Sequence, residues 1–219
     1  MHFCSAHFGG DVPWEHRISS NKIKTTCAYH TDKNTPSRSK AMLPRMKSKI
    51  PKMLEWRFVH ADWYVWMDSS VKLFDVDIPQ MILNAAGDNP LCLFRHSYVN
   101  TILEEGKRLL QAMNQHDSKY HQSRYQGEPI MNQIIHYYGD TEFEDNKLFA
   151  GTFFAYHRSA AHIMQEWFNE NMIWTIQDQI SLPYVIHKLN VGYSLLEGTV
   201  DDNPYFWWDW RSREKKLIV

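Results

Sequence analysis

The sequence predicts an α/β domain whose sheet is buried on both faces. The first observation is the run Tyr64-Val65-Trp66-Met67, which is continuously apolar rather than alternating. Such a run suits a strand covered from both sides. The second is the succession of short apolar runs and stretches of helical periodicity along the chain. The third is a carboxylate, Asp68, at the C-terminal end of that run, where open α/β sheets place their ligands. The chain has 219 residues, 43% hydrophobic and 14% aromatic, enough for a substantial core. No composition shift or repeat marks a boundary, so residues 1–219 read as one domain.

The elements follow in order. His2 to Phe8 reads as a first strand, and Gly9-Gly10 after it permits a plain tight turn or a close approach to a ligand. Ile23 to Tyr29 reads as a second strand, ending at His30-Thr31-Asp32. From Lys33 to Arg57 eight basic residues face one acid, Glu55, a local balance of +7 in a chain of net charge −1. Met42, Met46, Ile50 and Met53 recur there at helical spacing, with Arg45 and Lys49 together on another face. Pro44 suits a first helical turn. After the Asp68 strand, Asp75-Val76-Asp77 is a literal Asp-x-Asp. Asp77 precedes Pro79 and an apolar run, however, and so reads as a helix cap.

Leu91 to Phe94 is a short strand. Val99 to Met113 is an amphipathic helix, residues 114–127 are a polar loop, and Pro129 opens another helix. Leu148 to Tyr156 reads as a buried strand interrupted by Ala150-Gly151, where a ligand or another backbone can approach. A helix through Trp167 follows, then one opened by Gln177-Asp178-Gln179, then a last strand, Val191 to Leu196. The tail around Trp207-Trp208-Asp209 is dense in aromatics. The segment Lys216-Leu217-Ile218-Val219 reads as the cut edge of a longer polypeptide.

Composition narrows the function classes. A near-neutral chain carries no global field for nucleic acid, and the basic run lacks the interleaved aromatics of single-strand binders. There is no GxGxxG or Walker pattern, which argues against dinucleotide or P-loop binding. Three cysteines without paired spacing, and no leader-like amino terminus, lead us to expect a reducing, cytoplasmic setting. No run is long enough to span a membrane. Twelve histidines are scattered without zinc-ligand spacing.

Asp68 is the candidate ligand for a hard cation, Mg²⁺ or Mn²⁺, with Ser70 or water completing the site and a diphosphate on its far side. A turn started by Asp68 and continued by Ser69 and Ser70 is the alternative. The basic helix is either a solvated face or a partner for that diphosphate. Nine tryptophans also allow a non-catalytic carbohydrate-binding module.

The ordered set Ala6-His7-Phe8-Gly9-Gly10, Tyr29-His30-Thr31-Asp32, Tyr64-Val65-Trp66-Met67-Asp68, Ala150-Gly151-Thr152 and Asp178-Gln179 resembles the GT-A glycosyltransferases. It looks closest to the TOD/MUCI-type domain and is similar to the N-terminal domain of a chlorella-virus glycosyltransferase. The resemblance implies a mixed, mostly parallel central sheet flanked by helices. It implies a UDP-sugar as donor and an oligosaccharide or glycan hydroxyl as acceptor, with anomeric retention. It places Ser5, Ala6, His7, Phe8, Gly9, Thr31 and Asp32 at the nucleoside, and Arg45 and Lys49 at the diphosphate. Asp68-Ser69-Ser70 stands where the family has Asp-x-Asp, with a serine in place of the second acid. Ala150, Gly151, Asp178 and Gln179 line the donor-sugar pocket in this resemblance, and Asp209 is expected to close over the sugar.

Overall fold

The computed structural model describes residues 1–14, 16, 18, 20–34, 42–115 and 119–209. Arg38, Lys40 and the tail beyond Asp209, including Lys216–Val219, lie outside the described residues.

Six strands form the central sheet: β1 (His2–His7), β2 (Thr26–Thr31), β3 (Trp63–Met67), β5 (Leu91–Arg95), β6 (Phe149–His157) and β7 (Ser194–Thr199), in the order β2-β1-β3-β6-β5-β7. The pairs β1/β2, β1/β3 and β5/β7 are parallel, and only β6 runs against its neighbours. The sheet is therefore mixed and mostly parallel, as expected. A second, two-stranded sheet pairs β4 (Val71–Leu73) with β8 (Phe206–Trp208).

Alternation along β3 explains its continuous hydrophobicity. Tyr64 and Trp66 face α1 (Pro44–Leu54), α6 (Ala161–Ile173) and α7 (Asp178–Lys188) in one core layer. Val65 and Met67 face α2 (Ile78–Ala86) and the small sheet in another. Each of these four side chains is 3% exposed or less, and burial of such a side chain stabilises by about 1.5–3 kcal/mol. A third layer gathers α3 (Ile102–Asn114), α4 (Lys119–Tyr125) and α5 (Ile130–Tyr138) around the start of α7.

Helix boundaries follow local chemistry. Pro44 occupies the first turn of α1. Asp77 caps α2 by accepting from the Gln80 N–H at 3.1 Å. Thr101 and Glu104 close a reciprocal capping box on α3. Three boundaries differ from the sequence reading. β2 and β7 each lie about three residues later than expected, because register with the adjoining strand fixes them rather than local hydrophobicity. The expected loop 114–127 contains α4. This helix has no apolar stripe; Arg124 holds it, 5.7 and 5.3 Å from the Tyr120 and Tyr125 ring centres.

Candidate active site

The sheet positions the site through one irregularity. Opposite β5, the register of β6 jumps so that Leu93 faces Phe154 while Phe94 faces Ala150. Gly151, Thr152 and Phe153 are skipped in that ladder. On the other side, the Asp68 N–H donates to the Thr152 carbonyl at 2.8 Å, which fixes Asp68 just past the end of β3.

Asp68 is partly exposed, and its Oδ1 accepts from Trp66 Nε1 at 3.0 Å. Ser69 Oγ lies 3.1 Å from His7 Nδ1, at the end of β1. Ser70 is buried and its hydroxyl accepts from Trp208 Nε1 at 3.1 Å. The Asp209 N–H donates to the Ser70 carbonyl at 3.0 Å, so β8 brings Asp209 to the same edge. Beside it, the Gly9 N–H donates to Asp32 Oδ2 at 2.8 Å while Lys47 Nζ donates to Oδ1 at 2.8 Å. These bonds, Gly9 foremost, hold the Asp32 carboxyl below its usual range. Phe8 packs against the same ammonium, 5.8 Å from ring centre to Nζ. Thr31 ends β2 and takes the Asn34 Oδ1 on its N–H at 2.7 Å. Ser5 is wholly buried on β1 and its hydroxyl makes no hydrogen bond; Ala6 is also buried.

Beneath this rim is a charged floor. Lys49 and Lys52 both donate to Asp178 Oδ2, each at 2.5 Å. All three side chains are 7% exposed or less. Burial opposes ionisation of Asp178, but the two ammoniums outweigh it and hold the carboxyl well below its ordinary range. Lys49 is pushed down to about 8, by burial and by Lys52, with Asp178 restraining the fall. Gly151 makes room for the cluster: a Cβ there would lie 2.8 Å from Lys52 Nζ and 3.1 Å from Asp178 Oδ1. Ala150 beside it is buried. The rim and floor meet at Trp66, whose Nε1 binds Asp68 and whose ring lies 5.7 Å from Lys52 Nζ.

Further polar groups extend the floor. Gln179 donates to the Phe149 carbonyl at 3.3 Å and accepts from Gln177 at 3.0 Å. Gln177 also donates to Glu105, which Arg108 grips through two nitrogens at 2.8 and 2.9 Å. Arg45 lies 5.8 Å from the Tyr120 ring centre and donates to the Ser123 carbonyl at 3.4 Å. Burial and the neighbouring Arg124 guanidinium depress its basicity. Half-buried Arg124 bonds the Tyr120 hydroxyl and leaves its Nε without a partner.

Sequence reading missed Lys52, Arg124 and Gln177 as site residues, while the resemblance points to Glu104 or Glu105, with His96, as a polar patch. Lys52 was one more cation in a basic run. Its signal was its spacing, one turn from Lys49, next to the apolar Met53-Leu54.

A mixed α/β sheet with a carboxylate at a strand end and a lysine-ringed acid nearby fits the class that the family match gives, a glycosyltransferase-like domain. The family model for the TOD1/MUCI70, glycosyltransferase-like domain matches residues 39–198, well over half of the sequence, and the chain belongs to that family. No curated protein matches it. Among solved structures, the apo form of mouse xyloside xylosyltransferase 1 is similar at 9% identity and a TM-score of 0.40. That match covers 79% of this chain and 63% of the other, so this chain spans less than two-thirds of that one. Among the described residues, no helix is long and apolar enough to cross a membrane.

Proposed function

We propose that the domain transfers a hexose or deoxyhexose from a UDP-sugar to a hydroxyl of an oligosaccharide or glycan, with retention and with Mn²⁺ or Mg²⁺. The observation that carries this reading is the surplus of positive charge on the floor. Lys49, Lys52 and Arg124 act on Asp178, and Arg45 adjoins Arg124. A diphosphate has the charge to match them.

The donors around Asp68 are oxygens, and Mg²⁺ or Mn²⁺ binds such sites through one or two carboxylates plus substrate phosphates. The residues fit. Asp68 Oδ2, opposite the oxygen that Trp66 holds, and Ser70 would hold the cation. When bound, it neutralises charge on the departing diphosphate. Lys49, Lys52, Arg45 and Arg124 do the same from the protein side as the bond from the anomeric carbon to phosphate breaks. A new bond then forms from that carbon to the acceptor oxygen, whose proton is released.

Both lysines take Oδ2 of Asp178, leaving Oδ1 toward Gly151, where it and Gln179 face the sugar. In this reading His7, Phe8, Gly9, Thr31 and Asp32 border the nucleoside, with buried Ser5 and Ala6 packed behind them, Ser69 completes the wall in front of buried Ala150, and Asp209 closes the edge. Retention rests on the resemblance to GT-A enzymes. Three free cysteines support a cytoplasmic setting.

The test is UDP release from UDP-glucose, UDP-galactose and UDP-rhamnose, with and without Mn²⁺. One donor is expected to be hydrolysed, and Asp68→Asn to slow it by about 10²-fold or more. Absence of UDP binding by calorimetry in both conditions would sink the proposal.

A further inference from the structure

A second ionisable cluster, on the α1 face of the sheet, takes no part in the donor reading. His2 and Cys4 alternate with Phe3 and Ser5 along β1, so they share that face. His30, in register with Ala6 on the adjoining edge strand, lies on the same side. Glu55 opens a 3-10 turn directly after α1 and reaches between them. Its Oε1 is 3.1 Å from His2 Nε2, and its Oε2 is 3.1 Å from His30 Nε2. One ligating atom each from Cys4, His30 and Glu55 lies within 4.8 Å of the other two.

The details distinguish this cluster from an ordinary ion pair. Glu55 is 1% and Cys4 2% exposed. His30 Nε2 and Glu55 Oε2 are buried and ion-paired, and the Cys4 thiol beside them donates to the Pro51 carbonyl at 3.6 Å. Buried polar atoms in folded proteins nearly always point at a partner. Here a sulfur, a nitrogen and an oxygen from three separate elements converge within 4.8 Å of one another. The other carboxylate oxygen is held by His2, whose Nδ1 is anchored on Thr26 Oγ1 at 2.8 Å. Outer partners of this kind orient the ligands of metal sites.

We propose that Cys4 Sγ, His30 Nε2 and Glu55 Oε2 bind one thiophilic divalent cation, with Zn²⁺ the ion that this sulfur, nitrogen and oxygen set fits. A thiolate disfavours Mg²⁺ and selects a softer ion. Tetrahedral Zn²⁺ holds its ligand atoms roughly 3.3–3.7 Å apart, so the three protein ligands would close inward by up to about 1 Å from their present spacing and water would take the fourth position. Binding releases the thiol proton to solvent and leaves a sulfur–zinc bond. Burial, then the Glu55 charge, keep that thiol protonated in the metal-free cluster, and the cation reverses both effects. The ion would fasten edge strand β2 to β1 and to the end of α1, at the base of the rim formed by Thr31 and Asp32. This site is chemically distinct from Asp68, whose donors are oxygens alone.

The test uses the full chain, purified without chelator for metal analysis and then stripped with EDTA and titrated with Co²⁺. We expect one zinc per chain. Co²⁺ should raise a thiolate-to-cobalt charge-transfer band that Zn²⁺ abolishes. Cys4→Ser should remove the band, while Cys27→Ser, Cys92→Ser and Asp68→Asn keep it. His30→Asn should weaken Co²⁺ binding about tenfold or more. Should Cys4→Ser fail to fold by circular dichroism, His30→Asn on the edge strand decides alone. A wild-type chain without the band overturns the proposal. So does a band that survives Cys4→Ser, or unchanged affinity in His30→Asn.

Discussion

Replacing Asp178 by alanine leaves two ammoniums, Lys49 and Lys52, 4% and 6% exposed with no counter-charge. Removing one partner from a buried ion pair costs about 3–5 kcal/mol. In a chain of this size each kcal/mol moves Tm by about 2–4 °C, so Tm should fall by roughly 6–20 °C. The fall should itself depend on pH. Burial and Lys52 already hold Lys49 at about 8, and Asp178 is what restrains that shift. Without Asp178 the Lys49 ammonium sheds its proton more readily, which relieves part of the cost in alkali. The loss should therefore be larger at about pH 6 than at about pH 9. Thermal melts followed by circular dichroism at both pH values measure it. A loss under about 2 °C at the lower pH would refute the reasoning, because it would mean that water already solvates the lysines. The triple variant Lys49→Met, Lys52→Met, Asp178→Leu removes charge and counter-charge together and should melt within a few degrees of wild type. If the proposed function holds, the same triple variant does not turn over donor.

Other outcomes follow from single contacts. Gly151→Ala drives a methyl to 2.8 Å from Lys52 Nζ and should cost about 1–3 kcal/mol in urea unfolding. Thr101→Ala removes the α3 capping box and should cost about 1 kcal/mol by the same measurement. The Asp178 carboxyl is depressed in the fold, so its stabilisation is complete above its unfolded value of 3.8 and is lost as pH falls through the lower folded value. Lys49 acts at the other end. Between about 8 and 10.5 the unfolded chain binds the extra proton, so this residue makes stability rise with pH across that window. Unfolding free energies across a pH series should show both limbs.

What could be read from the sequence was what local chemistry decides. The Tyr64–Met67 run declares a strand because both faces are covered. Asp77 declares a cap because its carboxylate meets an N–H three residues on. Asp68 and Asp178 stood out as acids at the end of a strand and the start of a helix. Hidden were the features that depend on distant partners. The burial of Lys49 and Lys52 could not be read from a basic run, since that pattern usually marks a solvated face, and only α7 supplies the acid that makes burial tolerable. Helix α4 lacks a stripe because rings and a guanidinium hold it. Strand β8 exists because β4 lies opposite. Cys4, His30 and Glu55 sit on three separate elements, and only the strand register and the end of α1 bring them together.

The lone reversed strand has a consequence for how the molecule assembles. β6 is the seam between β2-β1-β3 on one side and β5-β7 on the other, so each half ends in a raw hydrogen-bonding edge until residues 149–157 arrive. A ribosome-bound fragment that stops short of Phe149 holds the β2-β1-β3 ribbon with an open margin and β5 with neither of its neighbours, since β6 and β7 are both still to come, the kind of species that chaperones shield. Closure must wait for contacts across long stretches of chain, which makes it slow, and mutations within β6 should harm yield in cells more than their equilibrium cost suggests.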